Sequence, residues 1–205
     1  MEAAAAPTTT RSLQGDKAER IVQAMRRSVA SRGVAGSTFD RVAREAGVSR
    51  GLLHYYFGTK ERLLAEVVRR DCALRMETIA AHLAPARTAD DVLRLLIEQL
   101  QEIVERDPDL LTLLFELFTG GRRNAELAAE YAELQRRTRD QLAAVLVEKR
   151  DEGVLHLAAA PEAVADVLFS IADGMAMRMV TEPARDWSPA IAAGLGALRP
   201  LLDSR

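Results

Sequence analysis

The chain has 205 residues, 48% of them hydrophobic and 28% charged, a balance that buries a sizeable core and excludes a disordered chain. A single cysteine excludes a disulfide framework, and no apolar run approaches the roughly 20 residues of a membrane helix. The net charge of −2 hides an asymmetry, because residues 1–70 hold 13 Lys and Arg against 7 Asp and Glu, a local +6, and the rest carries −8. A basic end on an acidic body suits a polyanion partner for that end alone. The start, Met1 to Pro7, lacks the basic and apolar regions of a secretory signal, so a cytoplasmic protein with a reduced thiol and no membrane partner is expected.

Taken in order, almost every segment reads as helix. Residues 1–15 have no periodic face and read as a flexible tail. A first helix starts near Asp16, with Ile21, Val22, Met25 and Val29 on its apolar face and Gly33 just past its end. Ser37 or Thr38 can cap a short second helix bearing Phe39, Val42, Ala43 and Ala46, which Gly47 stops. Ser49 caps a third through Phe57, and a long fourth runs from Lys60, with Leu63, Leu64, Val67 and Val68 opening its apolar face, until Pro85. Thr88 caps a fifth that continues to Pro108 through Val92, Leu95, Leu96, Leu100 and Val104. A short sixth spans Leu110 to Phe118, ended by Gly120-Gly121, and a long seventh runs from about Asn124 to Glu152. Pro161 opens an eighth through about Met179, and Ser188-Pro189 a ninth ending near Leu202. The expected fold is therefore all-α, with about nine helices.

The informative stretch is Thr38 to Phe57. Two short helices joined by Gly47-Val48-Ser49 form a helix-turn-helix, and Gly47 tolerates the positive φ of a sharp corner. Val42, Ala43, Val48, Leu53 and Phe57 supply the apolar contacts between them. Arg50, Leu52, His54 and Tyr55 then project mostly outward, and a basic donor, a small apolar contact and amphipathic aromatics suit a major groove and its phosphates. Enzyme readings have little to stand on. No dinucleotide, phosphate-loop or zinc-protease motif is present, and His54, His82 and His156 lie far apart, so no catalytic residue, metal or cofactor is expected.

From Ile21 to Leu64 the chain resembles the TetR (tetracycline repressor-like) family of transcriptional regulators. The resemblance rests on Gly33, the Ser37-Thr38 entry, Val42-Ala43, Ala46-Gly47-Val48-Ser49, Gly51, Leu53, Tyr55-Tyr56-Phe57, Lys60-Glu61 and Leu63-Leu64. It implies phosphate contacts from Thr38, Tyr55 and Lys60, base-facing positions at Arg50 and Leu52, and a close approach at Gly51; Arg44, Ser49 and His54 complete the expected DNA contacts. His54 and Tyr56 depart from the pattern, since the family mostly has Tyr and often His at those places.

The resemblance further implies a helix-turn-helix domain over residues 16–62 and a domain for ligand sensing and dimerisation over residues 63–205. The partners implied are operator DNA, a second copy of the chain and a small apolar or amphipathic ligand. Met76, Ile79, Leu96, Leu100, Leu114, Phe115, Phe118 and Tyr131 are the expected pocket. Two stripes at helical spacing, with Val164, Val167, Leu168, Ile171 and Met175 on one helix and Leu195 and Leu198 on the other, are the expected dimer interface. The function implied is a repressor released from its operator by that ligand.

Overall fold

The structure, a computed structural model, describes residues 16–203; the segment 1–15 expected to be a tail lies outside them. The described residues form α1 (Asp16–Gly36), α2 (Phe39–Ala46), α3 (Arg50–Phe57), α4 (Lys60–Leu83), α5 (Ala89–Arg106), α6 (Pro108–Gly121), α7 (Ala125–Asp151), α8 (Pro161–Thr181) and α9 (Ser188–Leu202). The all-α expectation is met, the helix count included.

The chain divides into two compact units between Val67 and Val68. The first therefore takes the opening turns of α4, where Leu63, Leu64 and Val67 are fully buried, and extends past the residue 62 expected from the sequence. In α1, Ile21, Val22, Met25 and Val29 are all buried, as their spacing requires. Gly33 (φ 67°, ψ 173°) breaks the helix where expected, but one further turn follows to Gly36. Past the break the Ser28 hydroxyl donates to that of Ser37 at 2.9 Å, and Ser37 donates to the Gly33 carbonyl at 2.9 Å. Ser37 is thus buried and spent on α1, and Thr38 alone caps α2, accepting from the Arg41 amide at 3.4 Å.

In the second unit, the Thr88 hydroxyl accepts from the Asp91 amide while the Asp91 carboxylate accepts from the Thr88 amide, both at 3.1 Å, closing a capping box at the start of α5. α6 is longer than its expected Leu110–Phe118 core and runs through both glycines. A Cβ on Gly121 would stand 3.1 Å from Ala128 Cα and one on Gly120 2.9 Å from Leu127 Cδ1, so the pair serves close helix packing rather than termination. Asn124 caps α7 through its side-chain oxygen. Near the other end of α7, the buried Lys149 ammonium donates to the Ala84 carbonyl at 2.7 Å and pairs with Glu152 at 2.8 Å, satisfying the backbone just past α4. The main core of this unit gathers Met76, Leu83, Val92, Leu146, Leu155, Val164, Leu168, Leu198 and Leu202.

Candidate nucleic-acid interface and ligand cavity

Each helix of the corner is held at both ends by its own sequence. Gly47 (φ 66°, ψ 39°) turns α2 off, its N–H reaching the Ala43 and Arg44 carbonyls, a left-handed conformation that other residues adopt only under strain. The Ser49 hydroxyl accepts from the Leu52 amide at 3.2 Å and starts α3, and Gly58 (φ 69°) ends it. Phe39, Val42, Ala43, Ala46, Leu53 and Phe57 are buried, so the opposite face of α3 is left outward.

On that face Thr38, Arg44, Ser49, Arg50, Gly51, His54 and Tyr55 are exposed and Leu52 is half-buried. A Cβ on Gly51 would meet only Ser49 Oγ, at 4.0 Å, so the chain's own packing does not require glycine there. Tyr55 is 62% exposed and stands edge-on to Tyr56 at 5.0 Å. Arg50 is held from two sides, its guanidinium pairing with Asp40 at 3.1 Å and its Nε donating to His54 Nε2 at 3.2 Å. The other ring nitrogen, Nδ1, lies 3.2 Å from the Gly58 carbonyl, and the ring meets Phe39 edge-on at 4.7 Å. Accepting at Nε2 leaves Nδ1 as the protonated nitrogen. His54 thus bridges the Arg50 side chain and the Gly58 carbonyl. Lys60 is half-buried and donates to the Val34 carbonyl at 3.0 Å, with two of its three protons left for another acceptor.

The second unit contains a cavity of about 170 Å³ among the later turns of α4 and helices α5 to α9. Of the expected pocket residues, Met76, Ile79, Leu96, Leu100 and Leu114 line it. Phe115, Phe118 and Tyr131 do not. Phe115 packs against the cluster around Trp187, Phe118 is 47% exposed, and Tyr131 pairs with Phe118 at a ring separation of 5.8 Å. Burial and the nearby Asp173 push the Tyr131 hydroxyl's pKa upward.

Sequence reasoning reached Asp173, a carboxylate interrupting an apolar helix, but missed the other polar groups of the wall, Arg75, Gln99 and Thr138, together with Cys72. Nothing in the sequence separates Gln99 from a surface glutamine. Asp173 is exposed as a residue, and partial desolvation by the surrounding side chains moves its pKa upward. Cys72 is pushed up to about 12 by burial and by the neighbouring Asp71 and Asp173, so its thiol stays protonated and unreactive.

The residues expected at a dimer interface are placed differently from that expectation. Val164, Leu168 and Leu198 are buried within the subunit, and Leu168, Ile171, Met175, Leu195 and Leu198 line the cavity. Only Val167 is exposed, at 40%. The stripes read from the sequence are the inner faces of α8 and α9, because the richest apolar stripe on a helix turns first to its own core. The outer face of α8 is the sparser one, with Ala163, Val167, Gly174 and Met177 exposed, and that of α9 carries Ala192, Ala193, Gly196 and Ala197.

A capped helix-turn-helix with an outward basic and aromatic face, in one chain with a helical unit that holds an apolar cavity, defines a DNA-binding regulator. Residues 21–67 match the family model for bacterial regulatory proteins of the TetR family, and residues 89–197, more than half of the chain, match that for the BetI-type transcriptional repressor C-terminal domain. The chain belongs to the TetR family, with a BetI-type C-terminal domain. It is a DNA-binding transcriptional repressor.

Among its relatives is the HTH-type transcriptional repressor AcnR of Corynebacterium efficiens, 26% identical over 80% of this chain and 81% of that one. Two solved structures share the fold. One is the transcriptional regulator FadR from Bacillus subtilis in complex with stearoyl-CoA, with a TM-score of 0.71 at 21% identity over 90% and 97% of the two chains. The other is a transcriptional regulator from Saccharomonospora viridis in complex with choline, with a TM-score of 0.67 at 22% identity over 88% and 93%.

Proposed function

We propose that a homodimer of this chain holds operator DNA with α3 and releases it when a small, largely apolar molecule occupies the cavity of the second unit. Arg50 and Leu52 read bases, Thr38, Arg44, Ser49, Tyr55 and Lys60 take phosphates, and His54 acts through Arg50. The observation that carries the reading is the cavity itself, since a regulator without a sensing role gains nothing from unfilled space in its core. Occupancy releases DNA only to the extent that the ligand prefers the conformation that does not bind it.

Of the two ligand chemistries carried by the structural neighbours, the acyl chain is the better guide. Among the described residues Phe169 is the only aromatic on the wall, whereas a quaternary ammonium is held by a cage of several rings.

The second copy is assigned to the outer faces of α8 and α9. A Cβ on Gly174, Gly194 or Gly196 would meet nothing within 4 Å, so these glycines leave room that the subunit does not use. With Val167, Met177 and Val180 exposed beside them, a partner helix can approach closely.

The test is a mobility-shift titration with duplexes tiling the DNA upstream of the protein's own reading frame, run at several salt concentrations, with sedimentation alongside. Binding of one duplex in two-fold stoichiometry is expected, together with a dimer that Met177→Glu dissociates. A monomer that binds every duplex equally would overturn the proposal.

A further inference from the structure

The cavity wall carries one charge that the subunit leaves uncompensated. Asp173 lies on α8 four residues after Phe169 and three before Ala176, both on the wall, so helical spacing sets it on their face. It lines the cavity with them, yet as a residue it is exposed, as are Ser170 and Gly174 on either side. Asp173 therefore stands at the rim, where the cavity meets solvent. Its carboxylate is turned toward α4 and α7, because its charge raises the pKa of Cys72 on the one and of Tyr131 on the other. Cys72 is itself a wall residue.

Among the described residues no hydrogen bond or ion pair reaches this carboxylate. Arg75 is the only cation on the described wall, and it is engaged elsewhere, 3.9 Å from Glu102 and 3.7 Å from Asp107. A partly desolvated charge without a partner costs stability, and nothing within the subunit offsets that cost. A cation arriving from solvent would offset it, provided that the rest of the molecule suits the aliphatic wall. A neutral molecule would leave the carboxylate as it is, and an acid would meet like charge.

We propose that the cavity takes an apolar molecule bearing a protonated amine, with the Asp173 carboxylate accepting hydrogen bonds from that amine at the rim. The proposal rests on the cavity being the sensing site, and it names the chemistry of the ligand's polar end. A carboxylate pairs with an N–H cation directly, so the cage of rings that holds a quaternary ammonium is not required.

Three probes of matched skeleton, octylamine, octanol and octanoate, are titrated by calorimetry into the intact protein at pH 7, where the amine is charged as a lysine side chain is. Octylamine is expected to bind about tenfold or more tightly than octanol, because it alone forms a charge-assisted hydrogen bond, and octanoate more weakly than either. Asp173→Asn keeps the size and removes the charge. It should bring the amine-to-alcohol ratio close to one without lowering the melting temperature of the ligand-free protein. Asp173→Ser gives the same reading should the Asn variant fail to fold. Asp166→Asn removes an exposed carboxylate two turns earlier on α8, away from the wall, and should leave the ratio unchanged. That control separates contact at the rim from the general attraction of an acidic unit for a cation.

Equal binding of octylamine and octanol by the wild type, octanoate binding best, or a ratio that falls as far in Asp166→Asn as in Asp173→Asn would each overturn the proposal and leave the cavity as the sensing site. A ratio that survives loss of the Asp173 charge would overturn it too, and a dimer weakened by the same change would give the carboxylate to the second copy instead. Failure of all three probes to bind would overturn the sensing site together with the proposal.

Discussion

Asp40→Asn tests whether the α3 face meets DNA, and its sign is counter to that of most substitutions at an interface. Asp40 and Arg50 are each more than half exposed and pair at 3.1 Å. An exposed pair of this kind contributes about 0–1 kcal/mol to stability, and loss of an acid from the first turn of α2 costs about 0.3–1 kcal/mol more. The fold should survive with a slightly lower melting temperature. On DNA the balance reverses. At about 8 Å in water, each phosphate repels the Asp40 carboxylate by roughly 0.5 kcal/mol. Two such phosphates, together with an Arg50 no longer tied to Asp40, give a gain of about 1–1.4 kcal/mol, or roughly five- to tenfold.

The gain should appear on random-sequence duplex as well as on operator, and it should shrink as salt rises, because phosphate interactions carry no base information. Fluorescence anisotropy with a labelled random duplex at several salt concentrations reads all of this. Unchanged or weaker binding by Asp40→Asn at low salt would refute the placement of DNA against α2 and α3, whatever happened to stability.

Gly51→Ala should leave the free energy of unfolding within about 0.5 kcal/mol of wild type, because the added methyl has room, yet weaken DNA binding severalfold by blocking close approach; equal affinity would remove Gly51 from the interface. Cys72, with its pKa near 12, should react with a disulfide reagent at pH 8 far more slowly than the same thiol in denaturant, and matched rates would show that the site is open. The Asp91 pKa is held below its ordinary value near 3.8 by the Arg87 and Thr88 amides and by Arg94, so its contribution is present above that value and lost as pH falls through the lower folded one. The stability difference between wild type and Asp91→Ala should therefore be full at pH 7 and shrink below about pH 4; a difference that persists undiminished at pH 2 would show that the carboxylate charge is not the cause.

Much of the first unit was legible in the sequence because its signals are local. Thr38, Gly47 and Ser49 act on backbone within three residues of themselves, and the short apolar sets of α1 to α3 have one way to turn inward. The same reasoning separated nine helices and found five of the eight expected pocket residues, since Met76, Ile79, Leu96, Leu100 and Leu114 lie on inner faces that any compact bundle would cover.

What only the tertiary structure decided is which neighbour each inner face meets. Ile171, Met175 and Leu195 read as an interface stripe and instead close a cavity, while Phe118, the bulkier residue, is turned out against Tyr131. His54 reads as a DNA contact and is spent between Arg50 and the Gly58 carbonyl. Gln99 is indistinguishable in sequence from the exposed Gln135, and only the fold buries it. Helical periodicity reports that a face is covered. What covers it depends on contacts between residues far apart in the chain, and those are settled by packing all the helices at once.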